Sequence, residues 1–172
     1  MKRYAQLTRE KRIEKVMGQR RRDLTLVLEN LAEEINISAI LRTAEAFGIG
    51  NVFIVYQKGK KPKISKGVTS GAHKWLKIEY YQSTRRCFNT LKKYGFRLIG
   101  ALVSPGAEIL WEEKFHGKVA VVLGNEAQGL SQIAQKMVDK NIYLPMFGLT
   151  ESLNVGVAAG IFLYEVIRQK EA

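Results

Sequence analysis

The chain has one cysteine, three prolines and two histidines among 172 residues, and each scarcity excludes something. A single thiol, Cys87, cannot close an internal disulfide, so the sequence suits a reducing, cytoplasmic setting. His73 and His116 are isolated, and with one cysteine they offer no zinc spacing; no metal is expected. No apolar run nears the roughly 20 residues that cross a bilayer. The longest, residues 155–164, is interrupted by Gly156 and Gly160, so no membrane partner is expected. Met-Lys-Arg-Tyr opens the chain with no apolar run behind it, which reads as no secretory signal. Acidic residues are also short: 16 Asp and Glu face 28 Lys and Arg, a net charge of +12.

An excess of that size favours an anionic partner, most often nucleic acid; a basic solubility surface is the plainer alternative. The charge is concentrated. Residues 1–22 hold nine Lys and Arg against two Glu, ending in Arg20, Arg21 and Arg22. Lys58, Lys60, Lys61, Lys63 and Lys66 cluster around Gly59, Pro62 and Gly67, which reads as a mobile loop. Such lysines either hold phosphates as point charges or are simply solvated.

The remaining chain alternates. Residues 24–29, 51–56, 96–102, 119–124 and 141–146 are apolar, β-branched runs that predict buried strands. Between them, residues 36–48, 83–94, 130–138 and 152–169 predict helices, and a weak stripe predicts some helix within 1–22. Alternation of this kind predicts an α/β fold with a mostly parallel sheet and helices on both faces. In such sheets the site lies at loops after the strands' carboxyl ends, here 29–36, 101–107, 124–129 and 146–153.

Several motifs fail. Gly124 and Gly129 have phosphate-loop spacing, but Leu130 stands where the lysine belongs. Gly48-Ile-Gly50 follows a helix and lacks a third glycine, so a nicotinamide fingerprint is poor. Asn36-Ile-Ser38 is a glycosylation sequon in a chain with no sign of secretion. Cys87 falls on one helical stripe with Phe88, Leu91 and Tyr94, which predicts core packing. Three segments hold: NISAILRTAEAFG (36–48), VVLGNEAQGLS (121–131) and YLPMFGLTESLNVGVAAGIFLYE (143–165). In order and separation they resemble the three motifs of the SPOUT RNA 2′-O-ribose methyltransferases, over roughly residues 23–169. RYAQLTREKR followed by RRRDLTLVLEN resembles the opening of the branch that methylates the D-loop guanosine of tRNA.

That resemblance implies a deep C-terminal trefoil knot with residues 141–169 threaded, and a homodimer with the site at or near its interface. It implies a basic RNA-binding extension over 1–22 and a knotted catalytic domain over 23–172. The implied reaction is S-adenosylmethionine-dependent methylation of a ribose 2′-hydroxyl, with tRNA as substrate. Ribosomal RNA or the tRNA wobble position is the alternative target, and a catalytically silent RNA binder the alternative class. The cofactor set is Ala101, Leu102, Gly124, Leu144, Pro145, Met146, Ser152 and Leu153. The catalytic set is Arg42, Asn36, Glu126, Ser152 and Asn154. Arg42 is expected to engage an RNA phosphate and is proposed in the family to activate the hydroxyl; clamping is the safer role for a guanidinium. Glu126 is expected to orient Arg42 or a substrate group. Asn36 and Ser152 have a plainer reading as helix caps, and Gly124 as a turn. Gly124 is otherwise read as leaving room for the cofactor. Arg20, Arg21, Arg22, Lys58, Lys60, Lys61 and Lys63 are expected on RNA. Gly156 and Asn125 stand where relatives often have serine and glutamine. The D-loop enzymes commonly continue past the knot helix, whereas here Ala172 closes the sequence; the basic segment and the lysine loop are expected to compensate.

Overall fold

Four of the apolar runs form the middle of one sheet: β1 (Leu24–Glu29), β2 (Asn51–Val55), β4 (Phe96–Ala101) and β6 (Lys118–Leu123). The computed structural model describes residues 6–57, 59 and 61–172. With β3 (Lys77–Tyr81), β5 (Glu108–Ile109) and β7 (Lys140–Tyr143), the strands pair in the order β3-β2-β1-β6-β4-β7-β5, every pair parallel.

A central parallel strand buries both faces, and β1 divides its side chains between two cores. Leu24, Leu26 and Leu28 meet α2 (Glu34–Ala46) and α6 (Val155–Glu171) through Ile37, Ile40, Leu41, Phe162, Leu163 and Val166. Val27 faces the other way, onto Phe88 and Leu91 of α4 (Thr84–Lys93) and Ala134 of α5 (Gln132–Met137). Helices thus cover both faces, as predicted. Helix α1 (Arg9–Gly18) stands outside this frame with no buried residue, because only Ile13 and Val16 along it are half-buried. Helix α3 (Lys66–Thr69) is a single turn capped by Ser65, set in what composition reads as a mobile loop.

Glu29 fixes the carboxyl end of β1. It is fully buried and meets no cation among the described residues; its oxygens accept from Thr84 Oγ1 (2.7 Å), Ser131 N (2.9 Å) and Ser131 Oγ (2.5 Å). Thr84 opens α4 and Ser131 caps α5, so one carboxylate joins two helix N-termini, where negative charge is favourable. This ties together the loops that follow β1 and β6.

Several boundaries move. Helix α2 starts at Glu34, with Glu33 at its cap, so Asn36 lies inside the first turn and is not the cap. Strand β7 stops at Tyr143 rather than 146, and α6 begins at Val155 with Asn154, not Ser152, as its cap. Strand β3 alternates charge with Ile78 and Tyr80 on an edge, a pattern too weak to read as a buried run. Cys87, Phe88 and Leu91 are buried as expected, but Tyr94 is exposed. Burial pushes the Cys87 thiol up to about 12, which suits packing and leaves no thiolate at neutral pH.

Candidate active site

All four loops named from the sequence converge on one cleft of about 580 Å³ at the carboxyl edge of the sheet. Ala101 and Leu102 follow β4, Gly124 and Glu126 follow β6, Leu144 and Met146 follow β7, and Ser152, Leu153 and Asn154 lead into α6. Asn36 completes the wall from α2. Pro145 is the one member of the expected cofactor set that does not line it.

A chain of hydrogen bonds runs across the cleft. Glu126 Oε2 accepts from the Ala32 N–H (2.9 Å), and Oε1 from the Glu33 N–H (3.3 Å) and Asn36 Nδ2 (2.9 Å). Asn36 Oδ1 accepts from Asn154 Nδ2 (2.9 Å), whose own Oδ1 accepts from the Gly156 N–H (2.8 Å) and so caps α6. Desolvation would raise the Glu126 carboxyl, but the Ala32 N–H and the Asn36 amide outweigh it and hold the pKa below the ordinary carboxylate value. Within one protomer Glu126 thus holds Asn36 and the loop after β1, and makes no hydrogen bond or ion pair with Arg42 of the same protomer.

Arg42 is elsewhere. It is exposed on the outer side of α2, makes no hydrogen bond or ion pair among the described residues, and does not line the cleft of its own protomer. Six residues separate it from Asn36, about 9 Å along a helix axis. Ile35 and Ala46 are exposed on the same side. Helix α6 packs along the adjoining side of α2: a Cβ at Gly156 or Gly160 would lie 3.9 Å from Ala39 Cβ and 3.7 Å from Thr43 Cγ2. Beyond that seam α6 presents Val157 and Tyr164, both exposed.

Gly124 is required by its own loop. A Cβ there would sit 2.3 Å from the Gly129 carbonyl carbon and 2.4 Å from the Leu130 nitrogen, far inside contact distance. The closest approach is thus to the 124–129 loop, in keeping with the turn reading of this glycine, and Gly124 also lines the cleft. Asn125 shapes the same loop: its Oδ1 accepts from the N–H of Ala127 and of Gln128 (both 3.0 Å), and its Nδ2 donates to the Asn30 carbonyl (2.9 Å).

The expected RNA contacts divide. Arg20 is turned inward, its side chain 7% exposed, paired with Glu45 at 2.8 Å and donating to the carbonyls of Glu45 and Ile49. Arg21 pairs with Asp23 and Glu171. Only Arg22 is exposed and without a partner among the described residues. Lys63 is exposed, and the Lys61 ammonium stands 3.6 Å over the Tyr80 ring. Lys58 and Lys60 lie outside the described residues.

Sequence reasoning missed Glu33, Tyr143 and Glu151 on the cleft wall. Glu33 and Glu151 lie in loops named from the sequence and Tyr143 opens the third motif, and that position was the only available signal. With Glu126 the lining holds three glutamates and, among the described residues, no lysine or arginine. Among those residues no His, Cys, Asp and Glu group is arranged to hold a metal ion, and no helix is long and apolar enough to cross a membrane.

Residues 23–164 match the model of a family described as the SpoU rRNA methylases. The chain is 38% identical over 163 residues to a tRNA (guanosine(18)-2′-O)-methyltransferase of Aquifex aeolicus, covering 95% of this chain and 77% of that one. It is 36% identical over 162 residues to the enzyme of the same name from Thermus thermophilus, covering 94% and 83%. The crystal structure of the A. aeolicus TrmH/SpoU tRNA modifying enzyme superposes with a TM-score of 0.86 at 37% identity, over 94% of this chain and 84% of that one.

Proposed function

The chain belongs to the SpoU rRNA methylase family, and on that footing we propose that it transfers a methyl group from S-adenosylmethionine to a guanosine 2′-hydroxyl in the D-loop of tRNA. The observation that carries this reading is the character of the cleft: apolar on one wall, glutamate-lined, without a cation among the described residues, and closed by an ordered amide chain. The donor is a sulfonium cation, which a glutamate-lined cleft attracts and a basic one would repel. A volume of about 580 Å³ suits a ligand of its size, and Leu102, Leu144, Met146 and Leu153 offer the apolar slot an adenine needs. The residues present therefore fit the cofactor. When bound, it supplies an electrophilic methyl carbon.

The chain's own groups position and exclude. Glu126 holds Asn36, and Asn36 holds Asn154, so three loops keep one spacing against which a ribose hydroxyl would be positioned. Methylation of the 2′-hydroxyl would also require that hydroxyl to lose its proton. Glu126 is a poor acceptor for it: its oxygens already accept three hydrogen bonds and its pKa is depressed. The phosphate of the target nucleotide needs a cation that the cleft wall of one protomer lacks, and Arg42 is the candidate for it.

A homodimer resolves where Arg42 works. Ile35 and Ala46 of α2, with Val157 and Tyr164 of α6, make an apolar exposed face around Arg42, and Phe147 and Leu149 stand exposed in the loop beside α6. A second copy docked on this face would cover apolar surface and carry Arg42 towards its partner's cleft. Residues 1–22, through Arg22, and the 58–66 loop, through its lysines, hold the RNA; residues 141–169 are threaded; and the reducing cytoplasm suits Cys87.

The family description favours ribosomal RNA as the second reading. The test is transfer of labelled methyl to unmodified tRNA transcripts and to ribosomal RNA, followed by nucleoside digestion and mass spectrometry. 2′-O-methylguanosine from the D-loop is the expected product. Transfer only to ribosomal RNA moves the target, and transfer to neither leaves a silent RNA binder.

A further inference from the structure

Five strands begin side by side along the amino edge of the sheet, and their first residues line one groove of about 560 Å³: Lys77 of β3, Asn51 of β2, Leu24 of β1, Lys118 of β6 and Phe96 of β4. Its walls add Trp75 and Tyr94, 37% and 59% exposed, and Arg22 and Lys74. Among the described residues no carboxylate lines it. The side chains of Arg22 and Lys74 make no ion pair or hydrogen bond among those residues. Lys118 Nζ donates to the Tyr94 carbonyl at 3.1 Å and lies 5.7 Å from the centre of the Phe96 ring. None of this serves the cleft: strands of five or six residues at about 3.3 Å per residue put the groove on the order of 20 Å away, at the opposite edge.

We infer that this groove is a second RNA-binding surface, which takes an unpaired segment of the same RNA whose ribose is methylated at the cleft. The inference rests on RNA being the substrate. Phosphates would meet Arg22, Lys74 and Lys118, and a base would lie against Trp75 or Tyr94. Uncompensated cations interleaved with accessible rings are what unpaired nucleic acid uses, since every base offers a π face. A duplex or an acidic peptide needs the cations and leaves the rings without a function. Four strand spacings of about 4.8 Å give a groove roughly 20 Å long, room for several nucleotides rather than one. Only a polymer reaches both edges of the sheet, so the groove grips the substrate at a distance from its reacting nucleotide. Helix α1 extends the basic surface, with Arg9 and Arg12 bordering Trp75 in the neighbouring depression.

The full chain is tested with a short fluorescent oligouridylate and with an unmodified tRNA transcript. Lys74→Glu combined with Lys118→Glu should weaken both by roughly tenfold or more and lower the salt slope by about 0.7 per lost contact, while Lys74→Arg retains affinity. The KM for tRNA should rise, with kcat at saturating RNA and cofactor affinity held. Trp111→Phe leaves Trp75 as the only tryptophan, and its fluorescence should be quenched by the oligouridylate. Unchanged RNA affinity in the double variant, an unquenched Trp75, or a groove that prefers polyglutamate to RNA overturns the inference. RNA affinity is read without turnover, so the outcomes separate. Groove-dependent binding with no methyl transfer would sink the reading of the cleft alone, whereas methyl transfer with a silent groove would sink this one alone.

Discussion

Among the described residues, three glutamates and no lysine or arginine line the cleft at the carboxyl edge of the sheet; at the amino edge six cations and no carboxylate line a groove. Of those six, Arg20, Arg21 and Lys77 are ion-paired to carboxylates outside the groove lining, and Arg22, Lys74 and Lys118 are in no ion pair among the described residues. One set of parallel strands carries both. A parallel sheet makes this possible because its two edges are built from different loops, so one can be shaped for a small cationic donor and the other for a polyanion. The cleft is also the more ordered of the two: its polar groups are satisfied by one another through Glu126, Asn36 and Asn154, while Arg22 and Lys74 are left without partners. A reacting site needs fixed spacing, and a surface that grips a flexible chain needs available charge.

Salt should separate the two edges most strongly. With about 6–10 phosphate contacts, RNA affinity should fall roughly 10³–10⁵-fold between 50 and 200 mM salt, on duplex-like estimates. Cofactor affinity, measured by calorimetry over the same range, should change far less. A flat RNA response would show that the basic edge does not bind phosphate. Arg42→Ala comes next. Turnover should drop roughly hundredfold or more, as for loss of a preorganised charge at a reaction centre, while cofactor affinity holds because the role given to Arg42 is at the RNA phosphate. If Arg42 serves the partner, mixing Arg42→Ala with Glu126→Ala protomers should restore about a quarter of the wild-type rate, since half the dimers then hold one intact site of two. No recovery on mixing would return Arg42 to its own protomer.

How much of this was legible in the sequence differs between the edges for the same reason. The apolar runs at 24–29, 51–56, 96–102 and 119–124 dictate buried strands because a central parallel strand is apolar on both faces, and the loops after them follow directly. Asn36, Glu126 and Asn154 were named from motifs, yet their mutual bonding was not, because hydrogen-bond partners 90 and 118 residues apart leave no periodicity. Arg20 and Arg22 look alike in a run of three arginines, and only the fold turns one onto Glu45 and the other to solvent. The amino-edge groove was invisible. Its residues come from five separate stretches of the chain, and Lys74, Trp75 and Lys77 lead into an edge strand whose alternating charges hid it.

Two glycines at the carboxyl edge give the next contrast. Gly124→Ala drives a Cβ into the backbone of Gly129 and Leu130, contacts that no side-chain rotation relieves. A loss of about 1–3 kcal/mol or more in stability is expected, with weaker cofactor binding as the 124–129 loop shifts. Gly148→Ala meets nothing within 4 Å and should leave melting within about 0.5 kcal/mol of wild type. Denaturant titrations of both variants decide it, and equal stabilities would remove the steric account of Gly124.

The smallest effect concerns acid. Glu126 and Glu113 are both held below the ordinary carboxylate range, by different partners. Desolvation opposes the shift in each, but backbone and Asn36 amides win at Glu126, and Lys140 and Arg97 win at Glu113. A carboxylate with a depressed native pKa adds stability that is complete above the unfolded value, near 4.3, and is lost as pH falls from there through the native value. Melting temperature should therefore be flat from neutrality to about pH 5 and decline below about pH 4. The excess of wild type over Glu126→Gln should shrink over the same acid range, as should that over Glu113→Gln. Added salt distinguishes the two. It screens the ion pairs at Glu113, of which Arg97 is partly exposed, but hardly touches the amide bonds at Glu126. If the Glu126→Gln difference stays constant down to pH 3, the ionised form contributes nothing that the neutral amide does not, and the carboxylate is kept at the cleft for its charge towards the cofactor rather than for its grip on Asn36.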